Sequence, residues 1–242
     1  MLEIKNVTKR FGSTLALDDV SFIIEEGEFV FLTGPSGSGK TTLLRLIMRD
    51  LIPDMGEILL AKENIINIKS KNIPKLRQKM GVVFQDFKLL QERTARENVE
   101  VALAVIGLDQ KEWKERVDHV LSLVGLKDRS EFFPSQLSGG ELQRISLARA
   151  LVVNPKIILA DEPTGNLDWE TAQKLMDLFE NINKEGKTIV MATHHKGLID
   201  SMKKRVIVLE KPTNKIPAKE TKDKKPKNSE TKKNKKNSKE KK

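Results

Sequence analysis

Residues 34–41 read Gly34-Pro35-Ser36-Gly37-Ser38-Gly39-Lys40-Thr41 and satisfy the spacing G-x-x-x-x-G-K-[ST]. Glycines at these positions let backbone N–H groups curl around a phosphate, and a helix starting behind them presents its positive end. Lys40 is placed to neutralise phosphate oxygens, and the Thr41 hydroxyl to ligate Mg²⁺. A plain glycine-rich turn is the alternative. The apolar run Phe29-Val30-Phe31-Leu32-Thr33 just before, and a helical pattern from Thr41 to about Arg49, argue against it.

A second constellation is Ile157-Ile158-Leu159-Ala160-Asp161-Glu162, an apolar strand ending in two acids. In an open parallel sheet, ligands sit at the carboxyl ends of the strands. Asp161 would hold Mg²⁺ there, and Glu162 would polarise an attacking water. Alone, two acids at a strand end are ordinary solvated loop residues; beside a phosphate loop they form a pair. The third constellation is Leu137-Ser138-Gly139-Gly140-Glu141. Ser138 and Glu141 form a capping box, so Gly139 opens a helix that runs through Arg149 to about Val152. Two glycines at that tip make a second anion cradle. One chain therefore carries two phosphate-seeking helix ends but one catalytic set. If both touch the same nucleotide, two copies must pack head to tail across it.

The elements that position these groups follow from hydrophobic periodicity. Short strand-like pieces at Leu2–Thr8 and Val20–Ile24 suggest an antiparallel edge sheet. Buried strands are expected at Phe29–Thr33, Gly81–Phe84, Ile157–Ala160, Thr188–Thr193 and Arg205–Leu209. Continuous apolar runs alternating with helices indicate a parallel sheet covered on both faces. Between Gln85 and Gln136 the pattern is helical alone. One helix opens at the capping box Thr94-Ala95-Arg96-Glu97; a second buries Trp113, Val117, Val120, Leu121 and Val124 and stops at Gly125. Asp168 is placed to cap a helix burying Ala172, Leu175, Met176, Phe179 and Ile182.

These motifs, in this order, resemble the ABC transporter ATPases over about residues 1–210. The resemblance implies an α/β fold: a P-loop NTPase (RecA-like) core with an N-terminal antiparallel β subdomain and a helical subdomain inserted at about 86–136. It implies ATP with Mg²⁺, the metal held by Thr41, Gln85 and Asp161. Gly34, Pro35, Ser36, Gly37, Ser38, Gly39, Lys40, Thr41 and Thr42 would grip the phosphates. Ser138, Gly139, Gly140 and Glu141 would reach the nucleotide of a second copy in a homodimer, with Asp168 in the loop that links the two active sites. Phe11 stands where an aromatic ring stacks on adenine, although a core phenylalanine would look the same. Glu162, His194 and Gln85 match catalytic positions of the family. His194 aligns with the strand end, but His195 follows where an acid or amide is more usual, and Leu142 replaces a common glutamine.

Within the class, Val83-Phe84-Gln85-Asp86-Phe87-Lys88-Leu89-Leu90, followed by Glu97-Asn98-Val99, is similar to the cell-division ATPases. The lipoprotein-release and macrolide-efflux branches usually carry other residues after that glutamine. The resemblance implies an integral membrane partner and a peripheral place on the cytoplasmic face of the plasma membrane. Phe87, Leu89 and Leu90 would either receive a helix of that partner or fill the helical subdomain's own core. Non-transport members acting on ribosomes or nucleic acid usually fuse two cassettes or insert a coiled coil, and this chain does neither.

Composition is consistent with that reading. The chain of 242 residues is long enough for a sizeable core and has no cysteine, which excludes disulfides and thiol chemistry. Its start, Met1-Leu2-Glu3-Ile4-Lys5, does not read as a secretory signal. The longest apolar stretch, Val101 to Leu108, is far short of the ~20 residues a membrane span needs. The net charge of +10 is local: of 44 basic and 34 acidic residues, 14 Lys and 4 acids lie from Lys211 onward, so residues 1–210 carry 30 of each. The ATPase domain is thus expected over 1–211 and a disordered Lys-rich tail over 212–242. That tail would either solubilise the chain or contact anionic lipid. With no aromatics interleaved for stacking, no specific nucleic-acid partner is expected.

Overall fold

The computed structural model describes residues 1–212, so the expected disorder of residues 213–242 lies outside the described residues. Two sheets frame the molecule. Strands β1 (Leu2–Phe11), β2 (Thr14–Ile24), β4 (Met55–Leu60) and β5 (Glu63–Asn64) form an antiparallel sheet in the order β2-β1-β4-β5. Strands β3 (Phe29–Thr33), β6 (Met80–Phe84), β7 (Ile157–Asp161), β8 (Thr188–Ala192) and β9 (Arg205–Val208) form a parallel sheet in the order β6-β7-β8-β3-β9.

The parallel strands are apolar on both faces because both faces are covered. Phe29, Phe31, Ile158, Ala160, Ile189 and Met191 join one core with helices α3 (Ala95–Ile106), α4 (Trp113–Leu123), α5 (Gly139–Leu151) and α6 (Trp169–Lys184). The alternate residues Val30, Leu32, Ile157, Leu159, Val190 and Ala192 join a second core with α1 (Lys40–Ile47), α2 (Ile73–Arg77) and the antiparallel sheet. Large side chains such as Phe31 and Phe179 are fully buried, each contributing about 1.5–3 kcal/mol of apolar transfer. A last helix, α7 (Lys196–Met202), leads into β9.

Local capping rules set the helix starts. Thr94 and Glu97 form the reciprocal capping box of α3, Ser138 and Glu141 that of α5, and Asp168 accepts from the Thr171 N–H at the start of α6. Gly107 closes α3 in the left-handed conformation, φ 71°. Between Gln85 and Gln136 the chain carries α3, α4 and short 3₁₀ turns, with no strand. An ion cluster ties these helices, Arg96 pairing with Asp118 at 2.6 Å and Glu131 at 3.2 Å, and Lys114 with Asp118 at 2.9 Å.

Two strand expectations need correction. The segment 205–209 is an edge strand instead of a buried one: Val208 is 64% exposed, and only Leu209 is buried. The reason is position, since among the described residues β9 pairs with β3 alone and has no neighbour on its other side. The antiparallel sheet also gains β4 and β5, which local periodicity had not marked. No helix among the described residues is long and apolar enough to cross a membrane.

Candidate nucleotide site

The loop of residues 34–39 hangs between the end of β3 and the start of α1. Two of its glycines answer to contacts that no side chain could make. A Cβ on Gly39 (φ 89°) would lie 2.4 Å from the Ala16 carbonyl, and one on Gly34 (φ 146°) 2.2 Å from the Leu209 carbonyl. The loop is therefore held from one side by β2 and from the other by the residue after β9. Within it, Lys40 Nζ donates to the carbonyls of Gly34 at 2.9 Å and Pro35 at 3.3 Å. Ser38 is buried, and its Oγ has no partner among the described residues. Buried hydroxyls are nearly always bonded, so this one marks a cradle built for an external acceptor or donor.

The strand ends β7 and β8 bring the acids to the same place. Thr41 Oγ1 donates to Asp161 Oδ1 at 3.2 Å. Burial pushes the Asp161 carboxyl above its usual range and the Glu162 charge adds to this, while the Thr41 hydrogen bond and the Lys40 charge oppose it. A cation beside it would relieve that cost. A hydroxyl and one buried carboxylate are donors of the type Mg²⁺ takes together with phosphate and water. No cluster of three or more His, Cys, Asp or Glu suited to an all-protein metal cage occurs among the described residues. The donor set thus fits a phosphate-bound magnesium. A cavity of about 440 Å³ opens beside Thr41 and Asp161, lined also by Leu44, Met48, Phe84 and Leu159.

Glu162 follows Asp161 in the left-handed region, φ 48°, with its N–H bonded to the Ala192 carbonyl at 2.9 Å. Backbone strain at a non-glycine residue persists only where the surroundings enforce it. Its Oε1 lies 2.8 Å from His194 Nδ1. With the carboxylate ionised, Nδ1 carries the proton of that bond. The Glu162 side chain is largely enclosed, whereas that of His194 is open to solvent. His195 is turned elsewhere: its ring packs on Trp169, centroids 5.2 Å apart.

Gln85, after β6, meets the 165–168 loop. Its Nε2 donates to Asn166 Oδ1 at 3.4 Å, and Asn166 Nδ2 returns a bond to the Gln85 carbonyl at 3.1 Å. Asn166, two residues before Asp168, carried no functional expectation from the sequence. Phe11 is 45% exposed with Lys9 Nζ 5.6 Å above its ring, so the alternative of a core phenylalanine does not hold.

Ser138, Gly139, Gly140 and Glu141 stand at the tip of α5. Glu141 Oε2 accepts from the Ser138 N–H at 2.8 Å, a bond that lowers the carboxyl's pKa. Among the described residues no hydrogen bond joins this tip to the phosphate loop. A Cβ on Gly140 would approach Thr171 Cγ2 to 2.3 Å, whereas one on Gly139 would make ordinary contact with Leu167 at 3.7 Å. Close packing of α5 on α6 is therefore one reason for a glycine at 140, and it leaves untouched the backbone N–H groups of Gly139 and Gly140 in the first turn of α5. Of the three candidate docking residues, Leu89 packs against the core, Leu90 is 45% exposed, and Phe87 is half-buried.

A phosphate loop before α1, two acids at the end of β7, a histidine beside the second acid and a capped serine-glycine helix tip define an ATP-binding cassette. The chain belongs to the ABC transporter family as one of its ATPase subunits, and the family's sequence profile matches residues 17–165. Over 211 residues it is 50% identical to the cell division ATP-binding protein FtsE of Bacillus subtilis (strain 168), covering 87% of this chain and 92% of that protein. Among solved structures it resembles the dimeric structure of MJ0796, a bacterial ABC transporter cassette, with TM-score 0.79 and 39% identity over 87% of this chain and 95% of that one. It also resembles a dimeric post-hydrolysis state of that cassette bound to ADP and Pi, with TM-score 0.78, 38% identity and the same coverage.

Proposed function

We propose that this chain is the ATP-hydrolysing subunit of a cell-division complex, in which two copies close on two ATP molecules and drive an FtsX-like integral membrane partner that regulates cell-wall hydrolysis. The observation that carries the reading is the convergence of two side-chain bonds at the end of β7, Thr41 to Asp161 and His194 to Glu162, beside a phosphate loop whose Lys40 is held by the Gly34 carbonyl. Its cell-division assignment rests on the likeness to proteins of that name. A peripheral place on the cytoplasmic face of the membrane follows from the proposed partner.

In this reading the backbone N–H groups of Gly34–Thr42 and the Lys40 ammonium bind the β- and γ-phosphates. Thr41, Asp161 and Gln85 hold Mg²⁺, which when bound neutralises phosphate charge and orients the transferred group. The Glu162 carboxylate accepts a proton from the attacking water, and the contact of its Oε1 with His194 Nδ1 orients it. His194, held by Glu162 at Nδ1, presents its other nitrogen to the γ-phosphate. Ser138, Gly139, Gly140 and Glu141 reach the nucleotide of the second copy, and Asp168 sits between the two sites. Loss of the γ-phosphate removes the shared ligand and releases the pair.

Glu162→Gln tests this directly. The variant should bind ATP, lose turnover by at least about a hundredfold, and run as a dimer on size exclusion with ATP. Turnover at the wild-type rate, or a single copy at high concentration with ATP, would sink the reading. Co-purification separates the proposed partner from a lipoprotein-release or efflux transporter.

A further inference from the structure

Helix α5 carries a lone charge on the apolar stretch Leu147-Ala148-Arg149-Ala150-Leu151. Burial holds the Arg149 guanidinium below its usual pKa, and among the described residues no carboxylate pairs with it. Its two terminal nitrogens instead donate to the carbonyls of Lys88 at 2.6 Å and Phe87 at 2.8 Å. Both acceptors are non-glycine residues in the left-handed region, φ 51° for Lys88 and 57° for Phe87. Side chains take that conformation at a cost, and two in succession need an enforcing contact. A partly buried cation without a counter-charge is also unfavourable unless its donors are used. Two costly features offset each other at one fork.

The strained turn starts immediately after Gln85. The same helix also reaches the residue before it, because Gln143 Nε2 donates to the Phe84 carbonyl at 3.1 Å. Helix α5 thus grips the chain on both sides of Gln85, while its N-terminus is the Ser138–Gly140 tip. We propose that Arg149 is a positioning residue: its fork locks Phe87 and Lys88 in the left-handed turn, so that Gln85 stays in register with α5 and moves with the serine-glycine tip. The kinetic consequence rests on the ATPase reading above, whereas the clamp itself does not.

The full chain is tested as Arg149→Met and Arg149→Lys, each with and without the pair Phe87→Gly and Lys88→Gly. Glycine takes the left-handed turn freely. Arg149→Met should lower kcat about tenfold with KM for ATP within about twofold, and speed amide exchange selectively in residues 86–90. Arg149→Lys, with a point charge in place of a fork, should fall between it and the wild type. The glycine pair should restore most of the lost kcat. Wild-type kcat and exchange in Arg149→Met would overturn the proposal. So would a loss that the glycines fail to rescue, or exchange that rises throughout the chain in both Arg149 variants. Should the wild type itself not hydrolyse ATP, the functional reading falls, and the exchange at 86–90 still judges the clamp.

Discussion

Phe11 separates folding from binding at the scale of one residue. Its ring is nearly half exposed and joins neither core, so its removal should shift stability by no more than about 0.5 kcal/mol. A base stacked on such a ring gains about 1–3 kcal/mol. Phe11→Ala should therefore raise KM for ATP about tenfold or more and leave kcat at saturation near wild type. An unchanged KM would remove Phe11 from the site. The contrast with Lys40 and Glu162 is instructive. In the proposed mechanism those side chains act on phosphate and water, so their loss should appear in binding and turnover, whereas an adenine platform would contribute equally to ground and transition states.

At the scale of elements, Asp118 couples α4 to α3. Hydrogen bonds from Lys114 and Arg96 hold its carboxyl down at about 2, against 3.8 for an ordinary aspartate. The folded value is the lower one. Its stabilisation is therefore complete above the unfolded pKa and disappears as pH falls through the folded value, between about pH 4 and pH 2. The side chains are partly exposed, so screening keeps the contribution near 1 kcal/mol. Asp118→Asn should lower the unfolding free energy by about that much at pH 7 and flatten its slope in the acid window. Chemical denaturation across pH checks both, and an unchanged slope would place the acid sensitivity elsewhere.

Which elements were legible in the sequence follows the range of the forces that make them. Caps and the phosphate loop obey rules acting within about four residues, so Thr94, Ser138, Asp168 and Gly34–Thr41 could be read directly. The central strands declared themselves through apolar runs. Strand β4 did not, because its partner β1 lies some fifty residues away and its Met55-Gly56-Glu57 start carries no period. Strand β9 was apolar enough to read as buried, yet a sheet edge is a property of topology. Arg149 bonds carbonyls 61 and 62 residues away in the chain; its one visible signal in the sequence is a charge among alanines and leucines. The approach of Thr171 to Gly140 could not be read either, because it exists only with α6 in place.

At the scale of the whole molecule, the charge is divided: residues 1–210 are formally neutral and the excess lies beyond them. If those lysines attract anionic lipid, each adds about 1 kcal/mol near the surface, and the attraction decays within a Debye length. Removing residues 213–242 should then abolish binding to vesicles rich in anionic lipid at low salt and leave ATP turnover unchanged. Equal vesicle binding by the shortened and full chains would reduce the lysines to a solubilising role.

The wedge between Leu209 and Gly34 bears on how the molecule is made. The Leu209 N–H bonds the Thr33 carbonyl at 2.7 Å, and the Leu209 carbonyl fills the space any side chain at residue 34 would need. A ribosome that has released only the first two hundred residues has already supplied every acid, lysine and glycine of the site, yet not the strand that braces the loop. Prematurely terminated fragments would then be poor competitors for nucleotide, so unfinished copies would not trap finished ones in dead pairs.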